Sequence, residues 1–190
     1  MTTHPLRPDL AEDLISRAEQ ASAHWSRRIR NQLDGIQLGP GRHTDHANAK
    51  VLRRILAEHD WPGHRLVGPA GCRAAWQLAL HADDEPDLQR SAVRLLHRAV
   101  KADDAPAWQW AHLLDRSLIA RAEPQEFGTQ YRITPDGVQP WPLREPRALD
   151  SRRAHLGLPP AASAMAALRR RLLTPPNDAG RTVDDLVPAM

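Results

Sequence analysis

Prolines standing behind acidic residues cut the middle of this chain into helix-sized pieces. Asp83-Asp84-Glu85-Pro86, and later Asp103-Asp104-Ala105-Pro106, each precede a segment whose apolar residues recur every three or four positions. Proline suits the first helical turn, where its missing N–H has no partner to lose, and acidic side chains favour the positive end of the helix dipole. The segment opened by Pro86 runs to about Val100 and buries Leu88, Val93, Leu95, Leu96 and Ala99. The one opened by Pro106 carries Trp108, Ala111, Leu114 and Leu118 on one side and ends near Ala122.

The same spacing predicts a helix over residues 8–32, capped by Asp9, with Leu10, Leu14, Ile15, Ala18 and Ala21 on one face. LDGIQLGPGRH follows, and its Gly35, Gly39, Pro40 and Gly41 predict a turn-rich loop. A second helix is expected from Thr44 or Asp45, with Asp45 as an ordinary cap, to about His59. Its stripe is Val51, Leu52, Ile55 and Leu56, and Trp61-Pro62 stops it. PGHRLVGPAG reads as a loop, and a short helix from about Cys72 to Ala82 presents Ala75, Trp76, Ala79 and Leu80.

The period then changes. EFGTQYRI holds the only Phe and the only Tyr of the chain, Phe127 and Tyr131, around Gly128-Thr129-Gln130. Gly128 permits a sharp change from helix to strand, with the two aromatic rings packing on either side. Pro135-Asp136-Gly137 is a turn tripeptide, so a small β-hairpin is expected near 128–143, with Pro140 and Pro142 confining its second strand to an edge. Helices from about Pro146 to Leu156 and from Ala161 to Leu173 close the fold. The expectation is one mainly α domain over residues 1–173, with six to seven helices and one hairpin. Residues 174–190 read as a loosely held tail.

With 41% hydrophobic and 26% charged residues, the composition is that of an ordinary globular domain, and no apolar run is long enough for a membrane span. The N-terminus lacks a charged-then-apolar signal pattern, so a cytoplasmic protein is expected. The net charge is +3, carried almost wholly by Arg, since Lys50 and Lys101 are the only lysines. Acidic residues are scattered among the arginines without a basic stripe, which speaks against a nucleic-acid partner. One cysteine, Cys72, excludes an internal disulfide and a multi-cysteine zinc site. No dinucleotide fingerprint, P-loop, HExxH or GxSxG is present, and no cofactor is indicated.

A few polar groups do not fit solvated helix faces. Asp115 borders the apolar face of its helix, one turn after Ala111, and a buried carboxylate must be paired or hydrogen-bonded. His112 could pair with it, while Arg116 points about a hundred degrees away. Asp115 is thus either a tie between helices or a site residue. His81 ends an apolar helix with Asp83 two residues on, as a dipole-favoured terminus or as a general acid or base. His43 and His46 flank Asp45 and invite a metal reading, but no third ligand stands at a recognisable spacing. Cys72 reads as a small buried residue, and the six tryptophans as core and site walls.

Asp45 with Asn48, Trp61-Pro62, Val67-Gly68, Ala75-Trp76, His81-Ala82-Asp83 with Gln89, Asp115-Arg116, Gln125 with Gly128-Thr129-Gln130, and Arg152-Arg153 with Gly157-Leu158 occur in an order that resembles an uncharacterised bacterial family of unknown function. Its hallmarks are a GWP, a QHAD with a later Gln, an L-x-DR and a Q-x-YGTQ, and the resemblance spans roughly residues 44–160. Asp60, Leu80 and Phe127 depart from that pattern, and Phe127 lacks the phenol hydroxyl. His43, His46 and Cys72 fall outside it.

The resemblance implies a shared polar set without supplying a reaction. Its members here are His81, Asp83, Gln89, Asp115, Arg116, Gln125, Thr129, Gln130, Arg152 and Arg153. One expectation is a small-molecule enzyme or binder. His81, Asp115 and Asp83 would do cofactor-free acid–base chemistry (hydrolysis, elimination or cyclisation), and the Gln, Thr and Arg groups would hold an anionic substrate. The alternative is a helical module that binds a protein partner and whose polar cluster is a structural network. A network should be satisfied by its own members, whereas a site should hold polar groups that await a guest.

Overall fold

The computed structural model describes residues 4–29, 35–134 and 137–173. Among these residues seven α-helices are formed: α1 (Pro8–Ile29), α2 (Gly35–His59), α3 (His64–Leu80), α4 (Pro86–Lys101), α5 (Ala107–Ile119), α6 (Leu149–His155) and α7 (Ala161–Leu173). Between α5 and α6 lie β1 (Tyr131–Thr134) and β2 (Gly137–Pro140), then a short 3-10 turn, Pro146–Ala148. The strands are antiparallel, with Tyr131 opposite Pro140 and Thr134 opposite Gly137. The mainly α domain with one hairpin is therefore the observed fold, while Pro135-Asp136, residues 30–32 and residues 174–190 lie outside the described residues.

Helices α1–α5 share one apolar core, with Leu14, Trp25, Leu52, Trp76, Leu88 and Leu96 at its centre. Burying each such side chain contributes on the order of 1.5–3 kcal/mol. A smaller cluster of Ala111, Phe127 and Leu158, flanked by Trp108, Trp110 and Leu114, joins α5 to the segment that carries the hairpin and α6.

Three boundaries differ from the sequence expectation, each for a physical reason. The second helix starts at Gly35, not at Thr44 or Asp45, so Asp45 is interior and caps nothing. Glycine there serves close approach instead of a break: a Cβ on Gly41 would lie 1.8 Å from Cε1 of His24 on α1. Packing thus overrides the weak helix propensity of the segment. The third helix starts at His64, not near Cys72, and a kink at Gly68 (φ 73, ψ 172) divides it before Pro69. Pro69 has no N–H for the carbonyl of Arg65, and the backbone N–H groups of Leu6 and Arg7 bond to Arg65 and Leu66 oxygens instead (3.1 and 2.8 Å). The fifth helix ends at Ile119, not Ala122, which adopts a left-handed φ of 58.

The acidic residues before α4 and α5 also do different work from that expected. Neither helix has a side-chain cap hydrogen bond. Asp104 instead accepts the backbone N–H of Arg65 at 2.8 Å, closing the start of α3. Glu85 accepts from Arg53 at 2.8 Å and meets Nδ1 of His46 at 2.8 Å, tying α2 to the turn before α4.

Candidate functional site

The polar residues singled out by sequence fall into two centres. The first is the joint between α5 and the Gly128 turn. Asp115 is fully buried on α5, and four donors reach it. Backbone N–H groups of Glu126 (2.7 Å) and Phe127 (3.0 Å) donate to Oδ1, and the N–H and hydroxyl of Thr129 (both 2.9 Å) donate to Oδ2. Gly128 turns the chain between them with φ +62, a conformation other residues adopt at a cost. Burial pushes the Asp115 carboxyl above its ordinary range, and the bonds from Thr129, Phe127 and Glu126 pull it part of the way back.

Arg153, buried on α6, grips the opposite side of the same turn. Its Nη1 donates to the carbonyl of Phe127 and its Nε to that of Pro159, both at 2.6 Å. The peptide N–H of Phe127 thus faces a carboxylate, while the carbonyl of that residue faces a guanidinium. Arg152 holds the Glu126 carbonyl at 3.0 Å and forms an ion pair with its side chain at 3.1 Å. Gln125, also fully buried, donates to the carbonyls of Gln130 and Trp141 (3.1 and 2.9 Å) and accepts the N–H of Gln130 at 2.9 Å. Gln130 reaches the His112 carbonyl at 3.4 Å, and Phe127 packs edge-on to Trp110 with ring centroids 5.6 Å apart.

Asp115 bonds to neither His81 nor His112. His112 is buried edge-on to Trp76 and Trp108, each with a centroid separation of 6.0 Å. Burial first, and the nearby Arg153 second, hold its pKa down at about 3, so the ring is neutral.

The second centre lies where α3 ends against α1 and α2. His81 follows the last residue of α3 and is buried. Its ring stacks on that of Trp25, with centroids 4.2 Å apart and planes 8° from parallel. Nε1 of Trp25 donates to Oδ1 of Asp45 at 2.7 Å, and Oδ2 of Asp45 stands 4.0 Å from Nε2 of His24. Asn48, almost one turn further along α2, accepts from Arg17 at 3.4 Å. Among the described residues, Nε2 of His24 and Nδ2 of Asn48 are buried with no hydrogen-bond partner. Gln89 shares its amide N–H groups between the carbonyls of Ala79 and Leu80 at the end of α3, both at 3.3 Å, while its Oε1 is buried without a partner among the described residues. Asp83 and Arg116 form a two-pronged ion pair, 2.8 and 2.5 Å, that spans from the α3–α4 turn to α5.

Two sequence candidates resolve simply. His46 bonds to Glu85, and Cys72 is a buried thiol that desolvation raises to about 11, too high for a nucleophile at neutral pH. Conversely, sequence reasoning took Trp25 for a wall and Asp45 for a cap, named Asn48 only as part of the family pattern, and passed over His24. The signal was available once α2 is extended. Asp45 and Asn48 then share the face of Leu52, Ile55 and Leu56, and polar residues on an apolar stripe mark a buried polar centre.

A model of a family of unknown function, DUF6624, matches residues 9–171, and the chain belongs to that family. No curated protein and no solved structure matches the chain.

Proposed function

We propose that this member of the DUF6624 family binds a small anionic molecule where His24, Asp45, Asn48 and His81 converge, and acts on it by cofactor-free acid–base chemistry such as hydrolysis, elimination or cyclisation. One observation carries the reading: Nε2 of His24 and Nδ2 of Asn48 are buried with no partner among the described residues. Folded proteins bond nearly all such atoms, and each one left unmet costs about 1–3 kcal/mol. An acceptor-rich guest, such as a carboxylate or a phosphate, supplies what the Asn48 amide N–H lacks, and also what the His24 ring lacks in the tautomer that carries its proton on Nε2. Two imidazoles and a carboxylate in one centre are the group types that acid–base chemistry uses.

The joint around Asp115 supports a different role for its members. Asp115, Gln125, Thr129, Gln130, Arg152 and Arg153 engage one another and the turn backbone, as a structural network does. Asp83 and Arg116 engage each other, so Arg116 meets an anion only by leaving Asp83.

The test is thermal unfolding of the wild type and of Asn48→Leu with a panel of small carboxylates and phosphates. A ligand at 100 times its Kd should raise the wild-type Tm by roughly 5–10 °C and leave the variant unmoved. A panel without effect, together with a large loss of stability in Asn48→Leu, would refute the reading.

A further inference from the structure

The stacked pair at the end of α3 is built in series. Asp45 holds the indole N–H of Trp25 at 2.7 Å, and the indole face holds the His81 ring at 4.2 Å with the planes 8° apart. All three side chains are buried, and they come from three different helices or helix ends, α2, α1 and the end of α3. A flat ring stacked on a flat ring keeps its edge, and therefore both its nitrogens, in a set plane. An indole alone can swivel about its own torsions, but one whose N–H is tied to a carboxylate cannot do so without losing a charge-assisted hydrogen bond.

We propose that Asp45 and Trp25 are positioning residues which fix the plane of the His81 imidazole, Asp45 acting through Trp25, within the polar centre formed with His24 and Asn48. The functional meaning rests on the reading given above, while the arrangement in series stands on its own geometry. In this arrangement Trp25 and Asp45 act on His81 and need no contact with a ligand. The oxygen of Asp45 that faces His24, 4.0 Å from its Nε2, is not the one on the indole, so the tie to Trp25 is separate from the His24 side of the carboxylate.

The arrangement has a spectroscopic signature that stability alone does not move. Ring protons of a histidine stacked on an indole resonate upfield of those of an exposed histidine. In the full chain, with side chains labelled for NMR, the His81 ring protons should be displaced upfield. Trp25→Phe keeps a stacking face but cuts the link to Asp45, and the displacement should shrink. Asp45→Ala should shrink it as well, Asp45→Asn should restore it by offering an amide oxygen to the indole, and Asp45→Ala should add nothing in the Trp25→Phe background.

Undisplaced His81 protons in the wild type would overturn the proposal, as would Trp25→Phe leaving them unchanged. So would an effect of Asp45→Ala that persists in full without the indole N–H. If Asp45→Ala does not fold, Asp45→Asn and Trp25→Phe still decide the matter. Failure to find a ligand leaves these ring signals readable, so the two readings fail separately.

Discussion

Asp115 and Asp45 are both buried carboxylates on helices, yet the chain surrounds them differently. Around Asp115, three backbone N–H groups and a hydroxyl converge on two oxygens, and Arg153 secures the far side of the same turn. Around Asp45, an indole N–H and an imidazole approach from side chains, and the neighbouring donors of His24 and Asn48 are unmet among the described residues. Backbone donors arrive wherever the fold puts them and make a tie. Side-chain donors held apart from acceptors raise the energy of the empty protein, and a guest can recover it. Such a contrast separates a joint from a candidate site without any knowledge of the reaction.

The largest expected effect attacks the joint. Asp115→Ala leaves four buried donors without an acceptor, and urea unfolding should show a loss of about 4 kcal/mol or more. A loss under about 1 kcal/mol would erase the difference between the two centres. Next comes acid. His112 has an ordinary pKa near 6.5 when unfolded and one of about 3 when folded, so its contribution is full above the first value and is lost as pH falls towards the second. Between about pH 6.5 and pH 5, the wild type should lose roughly 2 kcal/mol relative to His112→Phe.

A finer test uses the carboxyl of Asp115 itself. Its folded pKa is raised, mainly by burial, so the folded chain binds that proton more tightly than the unfolded one. The stability advantage of wild type over Asp115→Asn should therefore be greatest below about pH 4 and decline as pH rises through the folded value. Equal slopes for both proteins would show that the carboxyl titrates alike in the two states. The smallest effect belongs to the other centre: Asn48→Leu should leave stability unchanged or raise it by up to about 1 kcal/mol. A loss of 2 kcal/mol there would make Asn48 a tie like Asp115.

The helices opened by Pro86 and Pro106 were legible because proline and periodicity act locally. Gly128 was legible as a turn residue free to take a positive φ, although α5 ends well before it, at Ile119. The early part of α2 was not, because Gly41 reads as a breaker until the His24 ring is placed against it. Asp104 and Glu85 were misread in one respect: their charge marks a helix start in sequence, but their oxygens are used by α3 and α2. The polar candidates did not divide into two centres in the sequence, and of the four residues around Asp45 only His81 stood among them. Which members meet depends on contacts between residues far apart in the chain, such as Trp25 with His81 and Asp115 with Thr129.

Because the amides of Glu126, Phe127 and Thr129 end on one carboxylate, they should exchange with solvent hydrogen together and only when the turn lifts off α5. Their common exchange rate would therefore time how often the hairpin segment undocks while α1–α5 remain folded.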